Sequence, residues 1–146
     1  MKAVEEQLKI IGKGAEEIIN LEDLKVKLEK SIKDNKPLTV KLGLDPSAPD
    51  IHVGHAVVLR KIKQLQDLGH RAVIIIGDFT GMIGDPTGKS KTRKQLTKEE
   101  VMLNAKTYEE QIFKVLDMDK TEVRFNSEWL EKLNFRDIIE LTSKYT

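Results

Sequence analysis

Two histidines three residues apart, His52 and His55, are the residues of this chain whose types and spacing most directly suggest chemistry. Apolar residues recur after them at helical spacing until Gly69, which can end a helix in the left-handed conformation, and Asp50 is placed to cap its start. The pattern predicts a helix with both histidines on one face of its first turn. Unpaired backbone N–H groups and the positive end of the helix dipole favour an anion there, and Gly54 leaves room for a ligand.

Two other interpretations of the histidine pair stay open at this point. The pair can be solvated residues at the start of a surface helix, or half of a zinc site. The chain has no cysteine, and its third histidine, His70, lies beyond the predicted helix, so further zinc ligands are scarce. Of the three interpretations, phosphate binding is the most specific hypothesis.

Two loops rich in glycine and aspartate surround this helix, each after an apolar run typical of a strand. The first spans residues 43–55 and the second residues 77–89. Such loops bring backbone amides close to phosphate groups. Their aspartates, Asp45, Asp78 and Asp85, also have an ordinary interpretation as turn formers, because two precede proline and one follows glycine at a strand end.

The stretch 84–98 is the most linker-like part of the chain. It resembles the end of a Walker A loop at 88–90, but that motif requires glycine where Ile83 stands. Its cations can belong to a solvated surface loop, or, beside two phosphate-binding loops, to a clamp on pyrophosphate. These cations are Lys89, Lys91, Arg93 and Lys94.

Cap residues and apolar periodicity predict the elements that position these loops. Asn20 can cap a helix that ends at 35–37, and strands are predicted over 39–44, 71–76 and 122–125. The run at 71–76 is apolar without alternation, which predicts a strand covered on both faces, as in a parallel sheet.

Two later helices complete the pattern. Thr97 and Glu100 form a capping box that opens a helix extending to Leu116, and a last helix begins near Asn134. Strand, helix, strand, helix, strand is the first half of a doubly wound, Rossmann-like α/β sheet. We therefore expect an N-terminal helical extension over 1–38 and the first half of a nucleotide-binding domain over 39–146. The aromatic residues Tyr108, Trp129 and Phe135 are expected in the core or an interface.

Composition fits a soluble intracellular protein, and we expect it in the cytoplasm. The 25 Lys and Arg against 24 Asp and Glu leave no overall positive charge to favour nucleic acid, and the length suits one domain with its own core. The lack of cysteine excludes a disulfide scaffold and thiol catalysis. No apolar run has the length of a membrane span or the form of a secretory signal, so no membrane partner is expected.

The residues His-Val-Gly-His at 52–55 resemble the HIGH motif of class I aminoacyl-tRNA synthetases, with valine in place of isoleucine. Together with Gly-Leu-Asp-Pro at 43–46 and the loop at 81–89, the pattern is similar to the bacterial tyrosyl-tRNA synthetases, and the similarity runs over 4–146. The loop at 81–89 is the more specific part, because many synthetases share the HIGH motif. Members of this family are more than twice as long, so the resemblance implies an N-terminal piece.

The resemblance implies a reaction in two steps. ATP activates tyrosine to tyrosyl-adenylate, and the aminoacyl group then passes to tRNA(Tyr). It implies L-tyrosine, ATP with Mg²⁺ and tRNA(Tyr) as partners, a homodimer in the full-length protein, and no metal held by the protein itself. The chain alone is expected to be weak or inactive.

The resemblance also assigns site residues at matching positions. His52 and His55 meet the ATP phosphates, and Lys89 and Arg93 close on the departing pyrophosphate. The ATP-binding residues are Gly43, Asp45, Ser47, Gly54 and His55. The tyrosine-binding residues are Lys41, Asp45, Thr80 and Asp85.

Lys41 departs from the family pattern, since many members have a tyrosine there whose hydroxyl meets the substrate phenol. Lys41 can be an alternative donor or point away. The run Lys-Ser-Lys-Thr at 89–92 is not taken as the second class I signature, because that loop comes from the other half of the fold. Two other functions stay open: a small adenylyltransferase of the same nucleotide-binding superfamily, and a non-catalytic nucleotide-binding or assembly module.

Overall fold

Three parallel strands form the centre of the molecule in a computed structural model, which describes residues 2–83 and 96–145. The strands are β1 (Thr39–Leu44), β2 (Arg71–Ile76) and β3 (Thr121–Phe125). They lie in the order β1-β2-β3, and both neighbouring pairs are parallel. All three strands lie where the sequence predicts them.

The helices connect and flank these strands. In the described residues they are α1 (Val4–Gly12), α2 (Leu21–Lys33), α3 (Val53–Asp67), α4 (Asp78–Ile83), α5 (Lys98–Ile112), α6 (Ser127–Leu130) and α7 (Phe135–Ser143), with a 3₁₀ turn at Met118–Lys120. The predicted caps of α2 and α5 are confirmed, because the side chains of Asn20 and Thr97 accept backbone N–H groups of the first helical turn. Asn134, where the last helix is expected to begin, caps α7 in the same way. None of the described helices has the length and apolar character required to cross a membrane.

The core lies on one face of the sheet. Leu42, Ile74 and Val123 stand side by side on this face, which α3 and α5 cover through residues such as Leu59 and Ile112. Both helices lie on the same side because successive right-handed crossovers in one direction place their helices on one face.

The prediction that β2 is covered on both faces is wrong for the described part of the chain. Burial alternates along the strand, with Ala72, Ile74 and Ile76 buried and Val73 and Ile75 half-buried. The second face therefore carries apolar side chains that no helix of the core cluster covers.

A buried histidine fixes α1 to the sheet. His70 follows Gly69, whose φ of 100° ends α3 in the left-handed region as predicted. The His70 ring accepts the Leu38 N–H at Nδ1 over 3.2 Å, and its Nε2 lies 2.9 Å from Gln7 Oε1 of α1. Burial lowers the pKa of His70 and so favours the neutral ring that these contacts need.

Two further sequence predictions need correction. The stretch beginning at Gly77 is not a loop throughout, because α4 occupies its first half, with Gly81 packed against Val101 of α5. The helix α5 ends before Leu116, which is nevertheless buried in the core and so produced the helical signal.

The aromatic residues divide into two groups. Tyr108 is 1% exposed and belongs to the core, as expected. Trp129 and Phe135 are 40% and 80% exposed, so they are not core residues of the described chain. Their place in an interface stays a prediction.

Candidate active site

Polar residues gather where the three parallel strands end. Asp45 follows β1, Asp78 and Thr80 follow β2, and Asn126 follows β3. The strands end at the same edge of the sheet because they are parallel and in register. In open α/β sheets this edge is where ligands bind.

The two histidines cap α3 reciprocally. His52 is the N-cap, and its Nδ1 accepts the Gly54 N–H over 3.1 Å. His55 Nδ1 in turn accepts the His52 N–H over 3.1 Å, and the two rings stack with centroids 4.0 Å apart. The prediction that Asp50 caps this helix is wrong.

This cap also corrects the expected mode of anion binding. Two of the N–H groups expected to be free near the start of α3, those of His52 and Gly54, are occupied by the His55 and His52 side chains. An anion at this site would therefore meet the imidazole rings as well as the helix end.

The hydrogen bonds determine which nitrogen of each ring carries the proton. A ring nitrogen that accepts a hydrogen bond is unprotonated, so the neutral forms of His52 and His55 carry their proton at Nε2. Burial lowers the pKa of His55, and the charge of the neighbouring His52 lowers it further. The site thus favours a neutral His55 whose Nε2–H is a hydrogen-bond donor.

Gly54 is required by the His52 ring. A Cβ at position 54 would lie 2.9 Å from His52 Cε1 and 3.0 Å from its Nδ1. Any side chain at this position would push the ring away from the N–H that it caps. The glycine thus shapes the cap itself.

A hydrogen-bonded relay connects the ends of all three strands. Asn126 Nδ2 donates to Thr80 Oγ1 over 2.9 Å, and Thr80 Oγ1 donates to Asp45 Oδ1 over 2.7 Å. Gly77 lies beneath this relay, since a Cβ there would be 1.9 Å from Asp45 Oδ1 and 2.5 Å from Thr80 Oγ1. The relay fixes the orientation of a carboxylate and a hydroxyl that the sequence places in the site.

Asp78 has a structural task at this edge. It is 8% exposed, and its carboxylate accepts the Ser127 N–H over 3.0 Å and the Ser127 hydroxyl over 2.6 Å. These bonds tie the end of β2 to the start of α6. The turn-former interpretation of Asp78 is thus replaced by a buried link between two strand ends.

The loop between β1 and α3 is held by α5. Asn104 Nδ2 donates to the Pro46 carbonyl over 3.0 Å, and the Ser47 side chain interacts with the Tyr108 hydroxyl. Burial raises the pKa of Tyr108, with the Ser47 bond acting in the opposite direction, and the ring meets His55 edge-on at 5.8 Å.

Lys41 and Gly43 lie on the face of β1 away from the core. Both are exposed. A Cβ at Gly43 would meet no atom within 4 Å, so the space above this glycine is open to a ligand. Lys41 stands in the same row of the sheet as Val73, on the uncovered face.

The structure brings together some of the predicted site residues. His52, Gly54 and His55 form one group, and Asp45 with Thr80 forms a second group at the adjacent strand ends. The predicted Asp85, Lys89 and Arg93 lie outside the described residues, as does most of the linker-like stretch 84–98.

Three residues of this region escaped the sequence reasoning. Asn126 could have been found as the polar residue that directly follows β3, in the way Asp45 follows β1. Asn104 and Gln111 could have been found as polar residues on the core-facing side of α5, four before and three after Tyr108. Among the described residues, no three His, Cys, Asp or Glu side chains are grouped to hold a metal ion.

Comparison with known proteins places this geometry in a family. Residues 33–146 match the family model described as tRNA synthetases class I (W and Y). Tyrosine–tRNA ligase 2 of Clostridium acetobutylicum is 74% identical over all 146 residues, and tyrosine–tRNA ligase of Carboxydothermus hydrogenoformans is 66% identical over 140 residues, or 96% of the chain. The chain covers 36% and 34% of these two relatives, about a third of their length.

Solved structures show the same fold. The tyrosyl-tRNA synthetase of Archaeoglobus fulgidus matches with a TM-score of 0.75 and 21% identity, over 99% of this chain and 41% of that one. The tryptophanyl-tRNA synthetase of Plasmodium falciparum matches with a TM-score of 0.65 and 20% identity, over all of this chain and 41% of that one. The predicted Rossmann-like α/β class is confirmed. The chain belongs to the class I tRNA synthetases of the tryptophanyl and tyrosyl family.

Proposed function

We propose that this chain is the ATP-binding half of a catalytic domain that activates tyrosine and transfers it to tRNA(Tyr). The observation that carries the proposal is the reciprocal histidine cap, which leaves the Nε2–H of two stacked rings free to donate at the ligand-binding edge of the sheet. High identity to proteins named tyrosine–tRNA ligase supports tyrosine over tryptophan as the amino acid.

His52 and His55 bind the ATP phosphates in this proposal. Neutral rings suit the task because each offers one donor without requiring a proton to move. The lowered pKa of His55 keeps that ring neutral at physiological pH. Gly43, Asp45, Ser47 and Gly54 complete the ATP site, with the open space above Gly43 admitting the nucleotide.

The tyrosine substrate lies beside the relay. Thr80 and Asp85 hold its ammonium group, and Asp45 is oriented toward the same region by its bond from Thr80. Lys41, on the exposed face of β1, donates to the substrate phenol in place of the tyrosine hydroxyl common in the family.

The chemistry needs no protein nucleophile. A carboxylate oxygen of tyrosine forms a bond to the α-phosphorus of ATP as the bond to pyrophosphate breaks, and Lys89 and Arg93 close on the departing pyrophosphate. Mg²⁺ arrives with ATP as part of the substrate. The rate then depends on alignment of the two substrates and on donors oriented in advance toward the developing charge.

The remaining features concern the whole protein. We propose residues 1–38 as a helical extension and 39–146 as the nucleotide-binding half, in a cytoplasmic enzyme that binds tRNA(Tyr) and forms a homodimer. The exposed apolar side chains of α7, including Phe135 and Ile139, support an interface at this end of the chain.

Isotope exchange between labelled pyrophosphate and ATP tests the proposal. The assay is run on the chain and on a chimera in which it replaces the matching segment of the Clostridium acetobutylicum ligase, with tyrosine or with 4′-phosphopantetheine. We expect tyrosine-dependent exchange in the chimera, its loss in His55→Ala, and exchange lower by orders of magnitude in the chain alone. Exchange that depends on 4′-phosphopantetheine would indicate an adenylyltransferase, and none with either substrate a non-catalytic module.

A further inference from the structure

The loop 45–52, between β1 and α3, has little backbone hydrogen bonding of its own. One bond within it joins the Ser47 N–H to the Asp45 carbonyl over 2.8 Å. Pro46 and Pro49 have no N–H to donate. A loop of this kind keeps one conformation only if side chains from elsewhere satisfy its polar groups.

The helix α5 supplies those side chains from one stripe. Asn104, Tyr108 and Gln111 follow one another at spacings of four and three residues, so they lie on one face of the helix. They contact the loop in sequence order, at Pro46, at Ser47 and at residues 50–51.

Gln111 makes the contacts nearest to the histidine cap. Its Oε1 accepts the Ile51 N–H over 2.9 Å, and its Nε2 donates to Asp50 Oδ1 over 2.8 Å. These two residues directly precede His52. A primary amide suits the position because it offers an acceptor and a donor side by side.

We propose that Gln111 is a positioning residue that holds the entry to α3 and thereby aligns His52 and His55 for phosphate. The inference rests on the proposed ATP site. Gln111 itself does not touch the ligand: it fixes the N-cap residue, and the cap fixes both rings.

Exchanging the donor and the acceptor of the hydrogen bond between Gln111 and Asp50 provides the test. Gln111→Glu keeps an acceptor for the Ile51 N–H but opposes a second carboxylate to Asp50. Asp50→Asn, added to Gln111→Glu, supplies an amide donor to that new carboxylate and restores the pair. Glu110→Gln, on an exposed neighbour, is the matched control.

Affinity for MgATP is the first readout, by calorimetry. We expect Gln111→Glu to weaken binding about tenfold, the loss equivalent to about 1.4 kcal/mol. The double variant should recover affinity to within about threefold, and Glu110→Gln should match the wild type. Equal and measurable affinity in all four proteins, or no recovery in the double variant, would overturn the proposal.

The second readout is nitrogen NMR of the three imidazole rings without ATP. His52 and His55 should show the Nε2–H tautomer in the wild type and an averaged pattern in Gln111→Glu, while buried His70 stays unchanged as a reference for the fold. Unchanged His52 and His55 signals would refute the positioning role. If the rings respond as expected but the wild type binds no MgATP, the positioning role stands and the proposed function fails.

Discussion

Gly43 and Gly77 lie near the ends of neighbouring strands, yet alanine at each should have opposite effects on stability. A Cβ at Gly43 would meet no atom within 4 Å, and this glycine is not among those with positive φ. A Cβ at Gly77 would lie 1.9 Å from Asp45 Oδ1 and 2.5 Å from Thr80 Oγ1. Alanine therefore fits at the first position and displaces the relay at the second.

The magnitudes follow from these surroundings. Gly43→Ala should raise the free energy of unfolding by about 0.5–1 kcal/mol, because alanine loses less backbone entropy in a strand than glycine. Gly77→Ala should lower it by about 1–3 kcal/mol, the usual cost of overpacking. If ATP occupies the space above Gly43, a methyl group there should weaken binding by about 1–3 kcal/mol, or about 5- to 150-fold.

Two measurements separate stability from binding. Urea unfolding, followed by the fluorescence of the chain's single tryptophan, Trp129, gives the stability of each variant. Calorimetry with MgATP gives the affinity. A Gly43→Ala protein that is more stable and binds ATP like the wild type would refute the placement of the nucleotide, and a destabilised one would refute the open space.

Three further predictions concern the histidines and assembly. His55→Ala should weaken ATP binding by about 1.5–3 kcal/mol, whereas His70→Ala should lower stability and leave affinity nearly unchanged; equal losses of affinity would contradict the site. The free energy of unfolding should be highest above about pH 6.5, the ordinary pKa of His70, and should fall as the pH drops through the lowered pKa of the folded state. His70→Gln should lose less stability over the same pH range in urea unfolding, and a pH profile identical to that of the wild type would contradict this. The chain alone should not form one salt-independent dimer in sedimentation, because it covers only about a third of the length of its relatives; a single dimer that persists at high salt would contradict this.

Local signals allowed much of the fold to be predicted. Asn20, Thr97 and Asn134 cap their helices through bonds to residues two or three positions away, so the sequence window contains the whole interaction. The strand β2 is predicted from its continuous apolar run over 72–76. The covering of β2 is different, because it depends on what packs against each face of the sheet.

The site residues likewise divide into those with a local sequence signal and those held by distant contacts. The histidine pair and Gly54 are visible as a motif, but the bond that Asp50 makes comes from Gln111, 61 residues away, which no local sequence window contains. The relay likewise joins Asn126 to Thr80 across 46 residues. Asp50 has a side chain of the usual capping type, but in the structure it accepts a hydrogen bond from Gln111, and His52 is the cap.

The central claim is that the two histidines at the start of α3 bind the phosphates of ATP. It is tested most directly by titrating the chain with MgATP while following the imidazole nitrogens of its three histidines by NMR. The Nε2 signals of His52 and His55 should shift with one common dissociation constant while those of His70 do not move. Saturable ATP binding that leaves His52 and His55 unshifted would contradict it.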